Sequence, residues 1–365
     1  MRKRVHILPK PPGRGREAEV VVTSVAWLGK DLGAFLRVNA PADVARALEA
    51  FATAALPLAD IIRRGAGADI RGAAAGPSTT GLVEKPLDVL ADELLVAGLE
   101  DSGLRAIVSG KRGDPLLLDP RGMLLAAVDP LDGVTNVDAN MSIGAVFSVL
   151  DARDGGLKAD FLQPGTRQRA AGFVIYGPHV AFFFTIGAGV HAATLNPDAD
   201  LFRVSRIDAH IPADTREFAI NASNSRHWPE PVRAYVEDCL EDEESPRGKN
   251  YDMRWGDSIV ADAYRILARG GLCLYPEESR EGHPNGRVGL LWQANPIAFL
   301  IEQAGGAAID GFDRILDIAP RSIDARTPLI FGSKDKVERI AGYYREDDAP
   351  ASAFPLFRKR GLLRR

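Results

Sequence analysis

The chain is poor in cysteine: its 365 residues hold two, Cys239 and Cys273. They lie far apart and lack metal-ligand spacing, so neither a disulfide framework nor a Cys-built metal site is expected. Reduced thiols in a cytoplasmic protein are the expectation. The chain also lacks any apolar run approaching the about 18 residues that would cross a membrane. It lacks an excess of positive charge: the formal net charge is −4, which gives no footprint for nucleic acid as a partner. The basic start, Met1-Arg2-Lys3-Arg4, is not followed by an apolar core, so a secretory signal is not expected. No internal repeat is visible. What is present is an ordinary globular balance, 46% hydrophobic and 26% charged, long enough for two domains or one large α/β unit with a sizeable core.

Residues 1–22 are basic and proline-containing and read as a disordered tail. Residues 23–205 form a candidate N-terminal domain, 206–343 a C-terminal α/β domain, and 344–365 a linker and basic tail. Apolar residues recur at helical spacing from Asp43 to Arg64, as one helix or two divided near Pro57. A Gly- and Ala-rich loop from Gly65 to Gly81 follows. Leu87 to Leu99 reads as a helix with Asp88 near its start, and Leu104 to Ser109 as a strand. Alternating strand-like runs occupy Met141 to Leu195. Further helices are expected over Pro231 to Cys239, Ser258 to Leu267 and Asn295 to Ala304, where Pro296 opens the last one and Gly305-Gly306 stops it.

The stretch with most chemistry is Asp129-Pro130-Leu131-Asp132-Gly133-Val134-Thr135-Asn136. The apolar run Met123 to Val128 reads as a buried strand ending at Asp129, with Pro130 and Gly133 forcing a turn. The carboxylates of Asp129 and Asp132 flank the carbonyl of Leu131. Three hard oxygen donors so close together suit Mg²⁺, which completes its octahedron with water and substrate phosphate. Backbone N–H groups from Gly133 to Asn136 would face an anion if a helical turn begins there. The plain alternative is an ordinary Pro-Asp-Gly turn after a strand.

Several stretches, taken in order, resemble the class I fructose-1,6-bisphosphatases, most of all the bacterial ones. They are Val128-Asp129-Pro130-Leu131-Asp132-Gly133; Leu162-Gln163-Pro164-Gly165; Asn221-Ala222-Ser223-Asn224; Val260-Ala261-Asp262; Gly271 through Pro276; Ala294-Asn295-Pro296; Gln303 through Gly306; and Leu329 through Ser333. The resemblance spans roughly residues 44–340. It implies a layered αβαβα sandwich, Mg²⁺-dependent removal of the 1-phosphate of fructose 1,6-bisphosphate, and a homotetramer or homodimer.

Residue by residue, the resemblance implies metal ligation by Asp129, the Leu131 carbonyl and Asp132, and a role for Asp88 in placing the attacking water. It implies sugar-phosphate binding by Asp132, Gly133, Val134, Thr135, Asn221, Arg254, Tyr275 and Arg287, with Arg254 reaching in from a neighbouring subunit. Arg287 stands conservatively for a lysine, Trp255 for a tyrosine, and Asn224 for a tyrosine of some relatives. Other positions depart from the family. Gly110 and Lys111 stand where it has a Glu pair, Gln293 where it has a Glu, Leu82 where it has an acid, and Val134 where it has a serine.

Phosphoryl transfer through several Mg²⁺ needs carboxylates to hold the ions. Gly110 supplies none, and Lys111 opposes cation binding. Lys111 is either a solvated loop residue or a replacement charge paired with Asp129 or Asp132 and able to bind phosphate. Asp114, Glu84 and Glu278 are candidates to substitute for lost ligands. The reading is therefore a fructose-1,6-bisphosphatase relative with weak or absent hydrolysis. A non-catalytic sugar-phosphate-binding paralogue and another Mg²⁺-dependent sugar or inositol phosphomonoesterase are the alternatives.

Overall fold

In the computed structural model, residues 26–65, 76–77, 83–84, 86–241, 249–279 and 285–347 are described. The expected N-terminal tail, most of the Gly65 to Gly81 loop, Leu82 and the segment after Asp347 lie outside them.

An eight-stranded sheet forms one layer. Its strands, from one edge to the other, are Leu201–Arg206, His191–Asn196, Val180–Thr185, Gln168–Tyr176, Ile143–Asp151, Leu124–Asp132, Leu104–Ser109 and Leu116–Leu117. All neighbours are antiparallel except Leu104–Ser109 and Leu124–Asp132, which run parallel. A five-stranded sheet forms a second layer, in the order Asp252–Met253, Glu217–Ile220, Leu272–Tyr275, Leu329–Gly332, Ala307–Ile309.

Helices fill the three remaining layers. Leu32–Asn39, Ala42–Arg64 and Pro86–Leu99 cover the outer face of the large sheet. There Phe51 stacks on Phe147 with ring centroids 4.1 Å apart, and truncating either ring to Ala would cost about 3–5 kcal/mol. Ile259–Arg269 and Asn295–Gln303 bury Val260, Ile266, Ile297 and Leu300 between the two sheets. Glu230–Leu240 and Lys334–Asp347 close the far face through Tyr235, Val236, Ile340 and Tyr344. The result is the expected αβαβα sandwich.

Local differences from the sequence reading have physical causes. Ala42–Arg64 is one helix that carries Pro57 inside it. Pro57 is on the exposed side, so the carbonyl it deprives of a partner can meet water. The strand expected to end at Asp129 runs on to Asp132. Pro130 cannot donate to the ladder, and the strand bulges there instead of stopping: Asp129 pairs with Val146, but Asp132 pairs with Gly144. Gly133, at φ 79°, then makes the turn. The helix after Gly133 is only the short Asn136–Ala139. The strand Leu201–Arg206 and the helix Lys334–Asp347 were not foreseen, and the latter runs through the expected boundary at 343.

Candidate active site

The site is built where two parallel strands end side by side. Ser109 is in register with Val128, so the loop after Ser109 emerges beside Asp129. The Gly110 N–H donates to the Val128 carbonyl at 2.9 Å and holds the loop there. Behind it stands the helix Pro86–Leu99, which presents Asp88 and Asp92 one turn apart, both buried. The loop docks on those two acids. Ser109 Oγ donates to Asp92 Oδ1 at 2.6 Å, Arg112 Nε to Asp92 Oδ2 at 2.6 Å, and Lys111 Nζ to Asp88 Oδ2 at 2.9 Å. The Lys111 side chain is 16% exposed, so it is not a solvated loop residue. Its ion-pair partner is Asp88, and its charge also acts on Asp129, favouring the carboxylate form.

Gln293 closes the site from the other side. The Gly289 N–H donates to Gln293 Oε1 at 3.0 Å. That contact fixes the amide orientation and turns Nε2 toward Asp129 Oδ2, 2.6 Å away. Burial pushes the Asp129 carboxyl up, while Lys111 and Gln293 oppose the shift. Asp132 is pushed up to about 7, first by burial and then by the neighbouring charge of Asp129. Ser258 Oγ at 2.6 Å and the Val260 N–H at 3.0 Å both donate to Asp132 Oδ2 and resist that shift. Ser258 is also the N-cap of the helix Ile259–Arg269, accepting from the Ala261 N–H. It thus ties the carboxylate turn to the layer between the sheets. Thr135 Oγ1 donates to Asp257 Oδ2 at 2.8 Å and adds a second tie.

A cavity of about 270 Å³ opens over these groups. Gly110, Lys111, Asp129, Leu131, Asp132, Gly133, Val134, Thr135, Asn221, Tyr275, Arg287 and Gln293 all line it. Asp88 sits behind Lys111. Arg254 is outside the described lining and lies 3.6 Å from both Glu217 and Asp252. On the side away from the strand ends, Asn221 Oδ1 accepts from Ser223, and Asn224 Nδ2 donates to Glu278 Oε1 at 2.7 Å. The Arg287 guanidinium stands 4.0 Å from the same Glu278 oxygen. The Trp255 and Tyr275 rings meet at 5.1 Å.

The donor set does not fit a multi-Mg²⁺ centre. Asp88, Asp129 and Asp132 each accept from a protein donor: an ammonium, an amide nitrogen, and a hydroxyl with a backbone N–H. Among the described residues no group of three or more His, Cys, Asp and Glu side chains stands ready to hold a metal. The candidate substitutes do not repair this. Asp114 is exposed and paired with Lys158, Glu278 is engaged by Asn224, and the side chain of Glu84 lies outside the described residues.

Ser258, Asp92, Arg112 and Trp292 were missed in the sequence. Ser258 has a signal, a serine directly before an apolar helical run; the run alone does not tell the cap from the first helical residue, and the structure makes it the cap. Asp92 stands one helical turn after Asp88 and could have been found by that spacing. Trp292 had none.

Five layers around a carboxylate-bearing strand end define a sandwich of the fructose-1,6-bisphosphatase / inositol monophosphatase type. Residues 34–206 match the family model for the fructose-1-6-bisphosphatase N-terminal domain, and residues 211–345 that for its C-terminal domain. The chain belongs to the fructose-1,6-bisphosphatase family. It is 46% identical over 322 residues to the class 1 fructose-1,6-bisphosphatase of Rhodopseudomonas palustris strain HaA2, covering 88% of this chain and 93% of that one. It is 43% identical over 354 residues to the class 1 enzyme of Rhizobium meliloti strain 1021, covering 96% and 99%. The crystal structure of Leishmania major fructose-1,6-bisphosphatase in holo form superposes with a TM-score of 0.82 at 28% identity, covering 87% of this chain and 99% of that one. No helix among the described residues is long and apolar enough to cross a membrane.

Proposed function

We propose that the cavity receives fructose 1,6-bisphosphate, or a closely related sugar phosphate, in a cytoplasmic homodimer or homotetramer. Release of the 1-phosphate by Mg²⁺ is far slower than in a relative with the full acidic set. The observation that carries this reading is the 2.9 Å contact between Lys111 Nζ and Asp88 Oδ2. An ammonium there satisfies the carboxylate that the family resemblance gives to water placement, and it repels the cation that the chemistry needs. When bound, Mg²⁺ would offset the phosphate's charge and activate water; here Asp129 and Asp132 are its candidate ligands, and both are already engaged.

The chain's own groups support binding better than turnover. Arg287 offers a guanidinium fork to a phosphate, Asn221 and Tyr275 line the same wall, and Arg254 would serve a neighbouring subunit's cavity. Gln293 Nε2 on Asp129 favours a second reading, a sugar-phosphate-binding relative without turnover.

Phosphate release from fructose 1,6-bisphosphate, measured with and without Mg²⁺, tests the first reading. A Mg²⁺-dependent turnover of about 1–10³ s⁻¹, the ordinary enzyme range, overturns it. Calorimetry with fructose 1,6-bisphosphate and fructose 6-phosphate separates binding from hydrolysis, and inositol phosphates assayed alongside address a broader phosphomonoesterase.

A further inference from the structure

One side chain in this cavity has no part in the chemistry described so far. Trp292, in the turn Leu290–Ala294 before the helix Asn295–Gln303, lines the cavity and is 6% exposed. Its indole lies across two glycines. A Cβ on Gly289 would fall 2.2 Å from Nε1, and one on Gly110 would fall 3.0 Å from the same atom. Gly289 leaves room for the ring that no Cβ would, and a Cβ at Gly110 would press on it. Gly110 is also where the family resemblance puts a carboxylate, so the indole nitrogen occupies the neighbourhood that a metal ligand would need.

Among the described residues, Nε1 has no hydrogen-bond acceptor, and the atom is not sealed from the cavity. An indole N–H donates and never accepts. The ring is nearly buried while its N–H faces the cavity, so whatever fills the cavity, water or a ligand oxygen, accepts from it. The ammonium of Lys111 lines the same cavity and follows Gly110 directly in the chain. A donor-only group and a cation together select an anionic oxygen, and neither can ligate a metal.

We propose that Trp292 Nε1–H is a ligand-binding group that donates to a phosphate oxygen of the bound sugar phosphate. Ligand recognition at this end of the cavity is then carried by protein donors. The proposal rests on the reading of the cavity as a sugar-phosphate site and adds a specificity-determining residue to it.

The test uses the full-length ¹⁵N-labelled protein, with its tryptophan indole resonances assigned. Inorganic phosphate and fructose 1,6-bisphosphate are titrated separately. The Trp292 Nε1–H resonance is expected to move downfield with each ligand, and to do so without added Mg²⁺. Trp292→Phe keeps an apolar ring and deletes the donor; it is expected to bind fructose 1,6-bisphosphate between about ten- and a hundred-fold more weakly, as for other hydrogen bonds to charged groups. A Trp292 resonance that stays fixed at saturation, or unchanged affinity in a folded Trp292→Phe, overturns this proposal and leaves the cavity reading standing. Failure of the wild-type protein to bind either ligand overturns both. The wild-type titration decides the matter even if the variant does not fold.

Discussion

Lys111 Nζ stands 2.9 Å from Asp88 Oδ2, with both side chains largely withdrawn from water. The family resemblance implies a metal-binding carboxylate at the lysine's position and water placement by Asp88; under the proposed reading, a cation stands where that ligand would be and Asp88 is its counter-ion. Lys111→Met removes the ammonium that faces the buried Asp88 carboxylate. Lys111→Met is expected to lower stability by about 3 kcal/mol, the low end for breaking a buried pair because the lysine retains some exposure. Asp88→Asn in the same chain should restore most of that loss. Urea unfolding of the two single variants and the double variant gives the coupling directly. A coupling near zero would show that the contact is a surface ornament.

The Asp132 carboxyl titrates at about 7 in the folded protein against an ordinary 3.8. Between these values the folded state holds a proton that the unfolded state has released. The group's contribution to stability is therefore fully present below about pH 4, declines as pH rises, and is lost above about pH 7. Asp132→Asn cannot titrate. The stability difference, wild type minus variant, should accordingly fall between about pH 5 and about pH 7.5. Urea unfolding at the two pH values measures it, and a difference that rises with pH would contradict the raised pKa.

Much of this architecture was legible in the chain. Residues with apolar neighbours at a fixed period, such as Val44, Leu48, Phe51 and Ala55, could face only one way, and the strand from Leu124 to Val128 had no polar side to show. The carboxylate turn was legible only in part: Gly133 makes it, whereas Pro130 bulges a strand that continues to Asp132. What was not legible depends on partners distant in sequence. Nothing near Lys111 says that it will find Asp88, 23 residues earlier. Asp132 and Ser258 are 126 residues apart, and the serine's second role follows only once two layers meet. The match of Gly110 and Gly289 to one indole is a three-residue packing fact that no single position carries.

Gln293 holds one oxygen of Asp129, Ser258 and the Val260 N–H hold one oxygen of Asp132, and the Lys111 ammonium repels a cation, so Mg²⁺ has little to gain by binding. Anything that binds the folded state alone raises its melting temperature. Millimolar Mg²⁺ is expected to shift the Tm of the ligand-free protein by less than about 1 °C, with EDTA equally silent. A rise of several degrees that EDTA reverses would mean that Lys111 or Gln293 swings away to admit the ion.

Restoring the acidic set is the most demanding prediction, because the obvious triple substitution meets an obstacle. Gly110→Glu, Lys111→Glu and Gln293→Glu replace the three departures around Asp129. A Cβ at position 110, however, would lie 3.0 Å from Trp292 Nε1 and 3.2 Å from Cε2, and the indole is packed on both sides. The triple variant is expected to gain little phosphate release. Adding Trp292→Leu withdraws the ring and keeps an apolar contact. The quadruple variant should turn over fructose 1,6-bisphosphate faster than the triple at saturating substrate, where loss of an indole contact to ligand affects affinity more than rate. Crowded carboxylates without a counter-ion repel one another. The quadruple variant should therefore be less stable than wild type without Mg²⁺ and should gain Tm when the ion is added. Equal rates in the triple and quadruple variants, with both folded, would show that the indole is not what blocks the restored ligand.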